Sequence, residues 1–223
     1  MSYKNERFYK DILTNEQFFI AVKDKKIVKH EHNGKQLFCF WTRESFAKEY
    51  LENLNVAFDK IKTMDIDRFT TYELDDMFDE DDEAVVNVTT DAEGHEIRIL
   101  SAFNDIMTDI DRLRIREFVE DVSNSDTVYG LTQKGMKQFV VVSDENDHFE
   151  QSHFMPVWSL SQRAKHVANE DFESFELIDV EGEVFADWLD ELRDDNRYVA
   201  IDLKPGVVGT IVSAQKLANE LTF

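Results

Sequence analysis

Apolar positions along this chain fall into two rhythms that take turns. Phe8, Tyr9 and Ile12 recur at helical spacing, as do Phe118, Val119 and Val122, and each trio predicts a short amphipathic helix. After the first trio the pattern changes to short apolar runs at Phe18 to Val22, Ile27 to His32 and Gln36 to Trp41, which predict strands. After the second trio, runs at Val128 to Thr132, Lys137 to Ser143 and Phe149 to Trp158 do the same. Asn33-Gly34 is a strong hairpin signal, and Glu145-Asn146-Asp147 is a looser one, so these strands are expected to be antiparallel. Thr42 and Ser159, directly after the two tryptophans, are placed to cap a following helix, and Ser159 with Gln162 has the spacing of a capping box.

The two passes are one pattern read twice. Trp41-Thr42 is followed by Phe46-Ala47-Lys48, and Trp158-Ser159 at the same distance by Arg163-Ala164-Lys165. An extended piece follows in each, Phe58 to Met64 or Phe172 to Ile178, then an acidic amphipathic helix around Phe69 to Phe78 or Val184 to Leu192. Leu74, Met77 and Ala84-Val85-Val86-Asn87-Val88 match Leu189, Leu192 and Val199-Ala200-Ile201-Asp202-Leu203 without a gap. A hairpin with turn residues Asp91 to Gly94 or Lys204 to Gly206 comes next, and Ile99-Leu100-Ser101-Ala102 aligns with Ile211-Val212-Ser213-Ala214, where a last helix is expected to begin.

The expected fold is therefore α+β: two repeated units, residues 1–110 and 111–223, each a mostly antiparallel sheet of about five strands packed with about three helices. Ser101 to Val122 reads as nearly continuous helix through Phe103, Ile106, Ile110, Leu113 and Phe118, with no Pro-, Gly- or Ser-rich linker, which predicts a stiff connection between the units.

Charge narrows the possible partners more than length does. The formal net charge of -22 predicts repulsion from nucleic acid and anionic lipid, and leaves a basic protein as the partner the charge admits. The same charge also reads as a solvated surface that serves solubility, or as mimicry of nucleic acid. Eighteen Phe, 6 Tyr and 3 Trp exclude a disordered acidic chain. No apolar run approaches the ~20 residues of a membrane span, the polar start Met1 to Arg7 leads into no signal core, and the lone Cys39 suits a reducing compartment, so a cytoplasmic location is expected.

Candidate chemistry is sparse. His30-Glu31-His32 places two imidazoles on one face of a strand, short of the three or four converging ligands that zinc needs. Asp144, Asn146, His148 and Glu150 alternate like part of a calcium loop but lack its glycine and terminal Glu, and read as a turn. Cys39 lies in an apolar run without a Cys, His and Asn arrangement, and reads as a buried thiol. Phosphate loops, nucleophile elbows and paired zinc motifs are missing, so neither a catalytic residue nor a cofactor nor a metal is assigned. Trp41 and Trp158 could each line a ligand cleft, since an aromatic at a strand end beside a helix start makes a pocket; the core is the competing place for them, as for Trp188 beside Phe185, Leu189 and Leu192. The densest charge is the run holding Asp75, Asp76, Asp79, Glu80, Asp81, Asp82 and Glu83, echoed by Asp190, Glu191, Asp194 and Asp195, which reads either as a solvated helix end or as a face for a basic partner.

Phe118, Thr127-Val128-Tyr129-Gly130-Leu131, Met155-Pro156-Val157-Trp158, Phe185-Ala186-Asp187-Trp188-Leu189 and the closing Val199 to Val212 segment resemble the bacterial domain-of-unknown-function family 2750. The first copy is more diverged, with Phe19-Ile20-Ala21 in place of Tyr129-Gly130-Leu131 and Cys39-Phe40-Trp41 in place of Pro156-Val157-Trp158. The resemblance implies a fold and carries no reaction, ligand or catalytic residue.

Two functions follow as expectations. The first is a non-enzymatic interaction or regulatory protein, of an immunity type, that offers an acidic surface to a basic protein. The second is a small-ligand-binding or enzymatic unit with a cleft near Trp41 and Trp158. A duplicated unit that stands in for a homodimer predicts a monomer in solution.

Overall fold

The computed structural model describes residues 7–136, 138–143, 153–195, 197–206 and 208–221. It divides into two compact units, Met1–Asp109 and Ile110–Phe223. The first contains α1 (Arg7–Asn15), β1 (Gln17–Lys23), β2 (Lys26–Ile27), β3 (Lys29–His32), β4 (Lys35–Trp41), α2 (Glu44–Asn53), β5 (Lys60–Asp65), α3 (Ile66–Tyr72), α4 (Leu74–Met77), β6 (Glu83–Val86) and β7 (His95–Arg98). The first unit ends and the second begins within α5 (Ile99–Ser125). The second continues with β8 (Thr127–Gln133), β9 (Val142–Ser143), β10 (His153–Trp158), α6 (Ser161–Asp171), β11 (Phe175–Glu181), α7 (Gly182–Asp194), β12 (Tyr198–Lys204), β13 (Val208–Ser213) and α8 (Ala214–Glu220).

The sheets repeat one topology. In the first the main order is β5-β1-β4-β6-β7, with β2 on β1 and β3 on β4; in the second it is β11-β8-β10-β12-β13, with β9 on β10. The expected antiparallel pairing holds except at one place in each sheet, since β4 runs parallel to β6 and β10 runs parallel to β12. Those two joins need a crossover connection, and the chain supplies it through α2, β5, α3 and α4, or α6, β11 and α7. Strand β10 is buried at five successive positions, Phe154 to Trp158, as befits a strand covered on both faces.

Each sheet is the middle of three layers. In the second unit Leu131, Phe154, Trp158 and Ala200 pack on Ala164, Val167 and Ala168 of α6. The opposite face places Val128, Met155, Val157, Val199 and Ile201 against Phe118 and Val122 of α5, Phe185 and Leu189 of α7, and Leu217 of α8. In the first unit Ala21, Leu37, Cys39, Trp41 and Val85 meet Ala47, Tyr50 and Leu51 of α2. Its other face is a phenylalanine cluster, in which Phe18 lies 5.4 Å from Phe40, 5.0 Å from Phe69 and 5.1 Å from Phe103.

Three local expectations need correcting. The closing segments align three residues away from the sequence match: Ile97 pairs with Ala84 and Val212 with Val199, so Glu96 to Ile99 is the counterpart of Ile211 to Ala214. The last helices accordingly start at Ile99 and Ala214, because in the first unit the helical spacing of Ala102, Phe103 and Ile106 overrides the strand-like alternation of Ile97 and Ile99. Thr42 and Ser159 do not cap; the N-caps are Arg43 and Leu160, neither with a side-chain cap bond, and the two hydroxyls are engaged elsewhere. Asn33-Gly34 does form the expected turn, with φ of 49° and 78° between β3 and β4. The signals at Asp144 to Glu150 and at Phe149 to Ser152, and Lys137, lie outside the described residues.

Candidate functional site

Both units build the same polar junction where a strand ends beside its tryptophan. In the first, Trp41 Nε1 donates to Val88 O at 2.7 Å, and the Thr42 backbone N–H donates to Asn87 Oδ1 at 2.9 Å. In the second, Trp158 Nε1 donates to Leu203 O at 3.0 Å, and the Ser159 N–H donates to Asp202 Oδ1 at 2.9 Å. Each hydroxyl then lies between two acceptors. Thr42 Oγ1 is 2.8 Å from Asp11 Oδ2 and 3.2 Å from Asn87 Oδ1, while Ser159 Oγ is 2.9 Å from Asp121 Oδ2 and 3.0 Å from Asp202 Oδ2. Asn87 and Asp202 hold left-handed backbone, φ 51° and 46°, which their short polar side chains tolerate better than a branched apolar residue would.

The two copies differ at one corner of this network. Arg163 Nη1 reaches Asp202 Oδ2 at 3.0 Å in the second unit. The residue five places after the other tryptophan is Phe46, whose ring takes Arg43 and Arg7 against its face at 5.3 and 5.8 Å, and Asn87 replaces the carboxylate. Asn87 Nδ2 is buried, and among the described residues nothing accepts its hydrogen bond. A hollow of about 400 Å3 adjoins this corner, lined by Phe46, Asn87, Arg7, Thr89 and His95 among others. Gly94 closes its rim at φ +73°; a Cβ there would stand 2.8 Å from Val86 O, so the loop needs a glycine.

One hydroxyl proton cannot serve both Asp121 and Asp202, and the second unit answers this electrostatically. Burial, the leading cause, pushes the Asp202 carboxyl above its usual range, against the opposing pull of the Ser159 backbone N–H and Arg163. A carboxyl that holds its proton more tightly folded than unfolded contributes stability that is fully present below the unfolded value of about 3.9 and is lost as pH rises through the higher folded value. Asp202→Asn, the amide that the first unit carries at Asn87, removes this dependence. The melting temperature of the variant minus that of wild type is expected to be more positive at pH 7 than at pH 4. A difference that does not change with pH would overturn the assignment.

The residues singled out from the sequence fall in separate places. Trp41 and Trp158 are 0% exposed, each inside a core cluster and each with its indole N–H bonded to a backbone carbonyl; neither ring lines the hollow beside Asn87. Trp188, expected in the core, is half-buried. Asp75, Asp76, Asp79, Glu80 and Asp81 are exposed, and among the described residues no cation pairs with them. Asp82 and Glu83 are half-buried and structural: Asp82 Oδ2 accepts from the Asp79 N–H at 3.0 Å, and Glu83 meets Lys35 Nζ at 2.9 Å. Bonds to Glu83 and then Glu96 raise the Lys35 ammonium above its ordinary range. Phe78 pins the run to the core, with its ring 4.9 Å from Phe38.

His30 stacks edge-on against Tyr50 at 5.6 Å and His32 lies 4.0 Å from Glu96, so the two imidazoles serve different neighbours. No three metal-ligating side chains gather among the described residues. Burial pushes the Cys39 thiol up to about 12, which leaves almost no thiolate at neutral pH. No described helix is long and apolar enough to cross a membrane. The junction residues Asp11, Asn87, Asp121 and Asp202 were missed as a site, although a polar residue interrupting the same apolar run in both copies was a visible signal.

A family model described as "Protein of unknown function (DUF2750)" matches residues 5–105 and again residues 115–221. No curated protein matches the chain. Among solved structures, Anabaena Tic22 (protein transport) is 8% identical, with 88% of this chain and 92% of that one covered, at a TM-score of 0.26.

Proposed function

The chain belongs to this family through both of its halves, and we propose that it is a non-enzymatic, regulatory or immunity-type bacterial protein of the cytoplasm that binds a basic protein through exposed carboxylates. The observation that supports this reading is the unneutralised acidic run along α4 and the turn after it. Five exposed carboxylates lie between Asp75 and Asp81, with no internal cation among the described residues. At physiological salt their fields overlap, since neighbouring charges stand within a Debye length of about 8 Å. Lys35, which bonds Glu83 at the end of the acidic run, is shared between Glu83 and Glu96. A basic partner would supply the missing counter-charge and gain both encounter rate and specificity from it.

The test is capture from host lysate by wild type and by a variant with Asp75→Asn, Asp76→Asn, Asp79→Asn, Glu80→Gln and Asp81→Asn. Asp82 and Glu83 are left intact because they hold the turn. A basic protein is expected to be retained at low salt, released as salt rises, and held at least about tenfold more weakly by the variant. Equal retention by both proteins would remove this surface from the binding reading.

A further inference from the structure

Trp188 differs from the other two tryptophans in a way that points outward. Trp41 and Trp158 are sealed in the core with their indole N–H groups bonded. Trp188 is half-buried, and among the described residues nothing accepts from its Nε1. Helix α7 turns Phe185 and Leu189 into the core, while Trp188 and Leu192, each three positions on from one of these, pack at its margin. The Trp188 ring stands against Phe139 with centroids 4.4 Å apart and planes at 81°.

Phe139 can take that place only because Gly130 is bare. A Cβ at position 130 would stand 2.5 Å from the Phe139 ring. The result is a hollow of about 320 Å3 whose apolar surface comes from Phe139, Trp188, Leu192 and the exposed Val141, and whose rim carries Glu191 and Asp195. Arg193, on the same helix, spends its guanidinium on Asp190 at 2.7 Å and Asp194 at 3.4 Å. Neither Glu191 nor Asp195 has a cation partner among the described residues.

We propose that this hollow is an anchor site for an arginine side chain of a basic protein partner. The chemistry selects that occupant. An aromatic face with aliphatic neighbours receives the three-carbon stem and the flat guanidinium, and the Glu191 and Asp195 carboxylates receive its forked N–H donors. The Trp188 indole N–H, without an acceptor among the described residues, receives a backbone carbonyl of the same segment. Tryptophan in a half-desolvated hollow with a charged rim has the make-up of an interface hot spot, and a solvated acidic helix end alone does not. The inference rests on the basic-partner reading above but uses different residues from the turn after α4, so the two can fail separately.

The full 15N-labelled chain is titrated with the peptide acetyl-Gly-Arg-Gly-amide and with its citrulline twin, which keeps the shape and loses the charge. The Trp188 indole N–H resonance is assigned by its disappearance in Trp188→Phe. The arginine peptide is expected to move that resonance saturably. The citrulline twin, and the arginine peptide on a Glu191→Gln, Asp195→Asn variant, are expected to bind about tenfold more weakly. Gly130→Ala, which displaces Phe139 without touching a charge, should weaken the arginine peptide as well. A Trp188 resonance that stays still or never saturates, or equal binding of the two peptides, overturns the anchor. Shifts confined to residues 75–83 also overturn it, and leave the basic-partner reading standing. Equal retention by wild type and variant in the lysate experiment, with the Trp188 response intact, would fail that surface and not this one.

Discussion

Replacing Trp158 with alanine is expected to cost the protein about 3–5 kcal/mol of stability, the range for emptying a buried large aromatic site. The ring is 0% exposed between strand β10 and helix α6, and its N–H is the donor to Leu203 O at 3.0 Å. Two effects should separate in a series. Trp158→Phe keeps most of the apolar volume and strips the donor, leaving a buried carbonyl unpaired at a cost of about 1–3 kcal/mol. Trp158→Ala adds the cavity. Chemical unfolding of both variants, followed by circular dichroism, measures the two losses. The same pair of substitutions at Trp41, whose N–H meets Val88 O at 2.7 Å, should show the same ordering, because the first unit builds the junction the same way. A loss below about 1 kcal/mol for Trp158→Ala would mean that the ring is not held as its burial indicates.

That equivalence shows what the sequence could carry. Trp41-Thr42 and Trp158-Ser159 stand at matching points in the two patterns, and the strands, helices and turns around them follow from spacing alone. Strand direction does not. The runs Phe38 to Phe40 and Ala84 to Val86 have the same apolar content whether they pair parallel or antiparallel, and only the crossover through α2 and β5 decides. The capping expectation at Thr42 and Ser159 failed for a related reason. A hydroxyl near a helix start bonds whichever acceptor lies closest, and here the acceptors are Asp11 and Asn87, or Asp121 and Asp202, distant in sequence. The exposed carboxylates at Asp75 to Asp81 were legible because local charge density is a property of the string. The hollow beside Trp188 was not, since it needs Gly130, Phe139 and α7 in one place, and nothing in the spacing of those segments brings them together.

The first unit should prove equally sensitive to a residue that the repeat does not share. Phe103, fully buried on α5, sets its ring 4.9 Å from Phe69, 5.1 Å from Phe18 and 5.9 Å from Phe40. By the pairing register of the closing strands its counterpart is Ala218, which only packs at the margin of the second core. The phenylalanine cluster is thus a device of the first copy. Phe103→Ala removes a ring that touches three others, and the expected loss is about 3–5 kcal/mol, with the ring-to-ring terms counted inside it. Phe103→Leu keeps much of the volume and loses the edge-on geometry, so it should cost roughly 1–1.5 kcal/mol. Ala218→Gly, in the second unit, exposes no comparable cavity and should fall near the helix propensity difference of about 1 kcal/mol. Denaturation midpoints at constant slope measure all three. A Phe103→Ala loss no larger than that of Ala218→Gly would show that the two cores bear their load alike, and that the cluster in the first unit is filling rather than support.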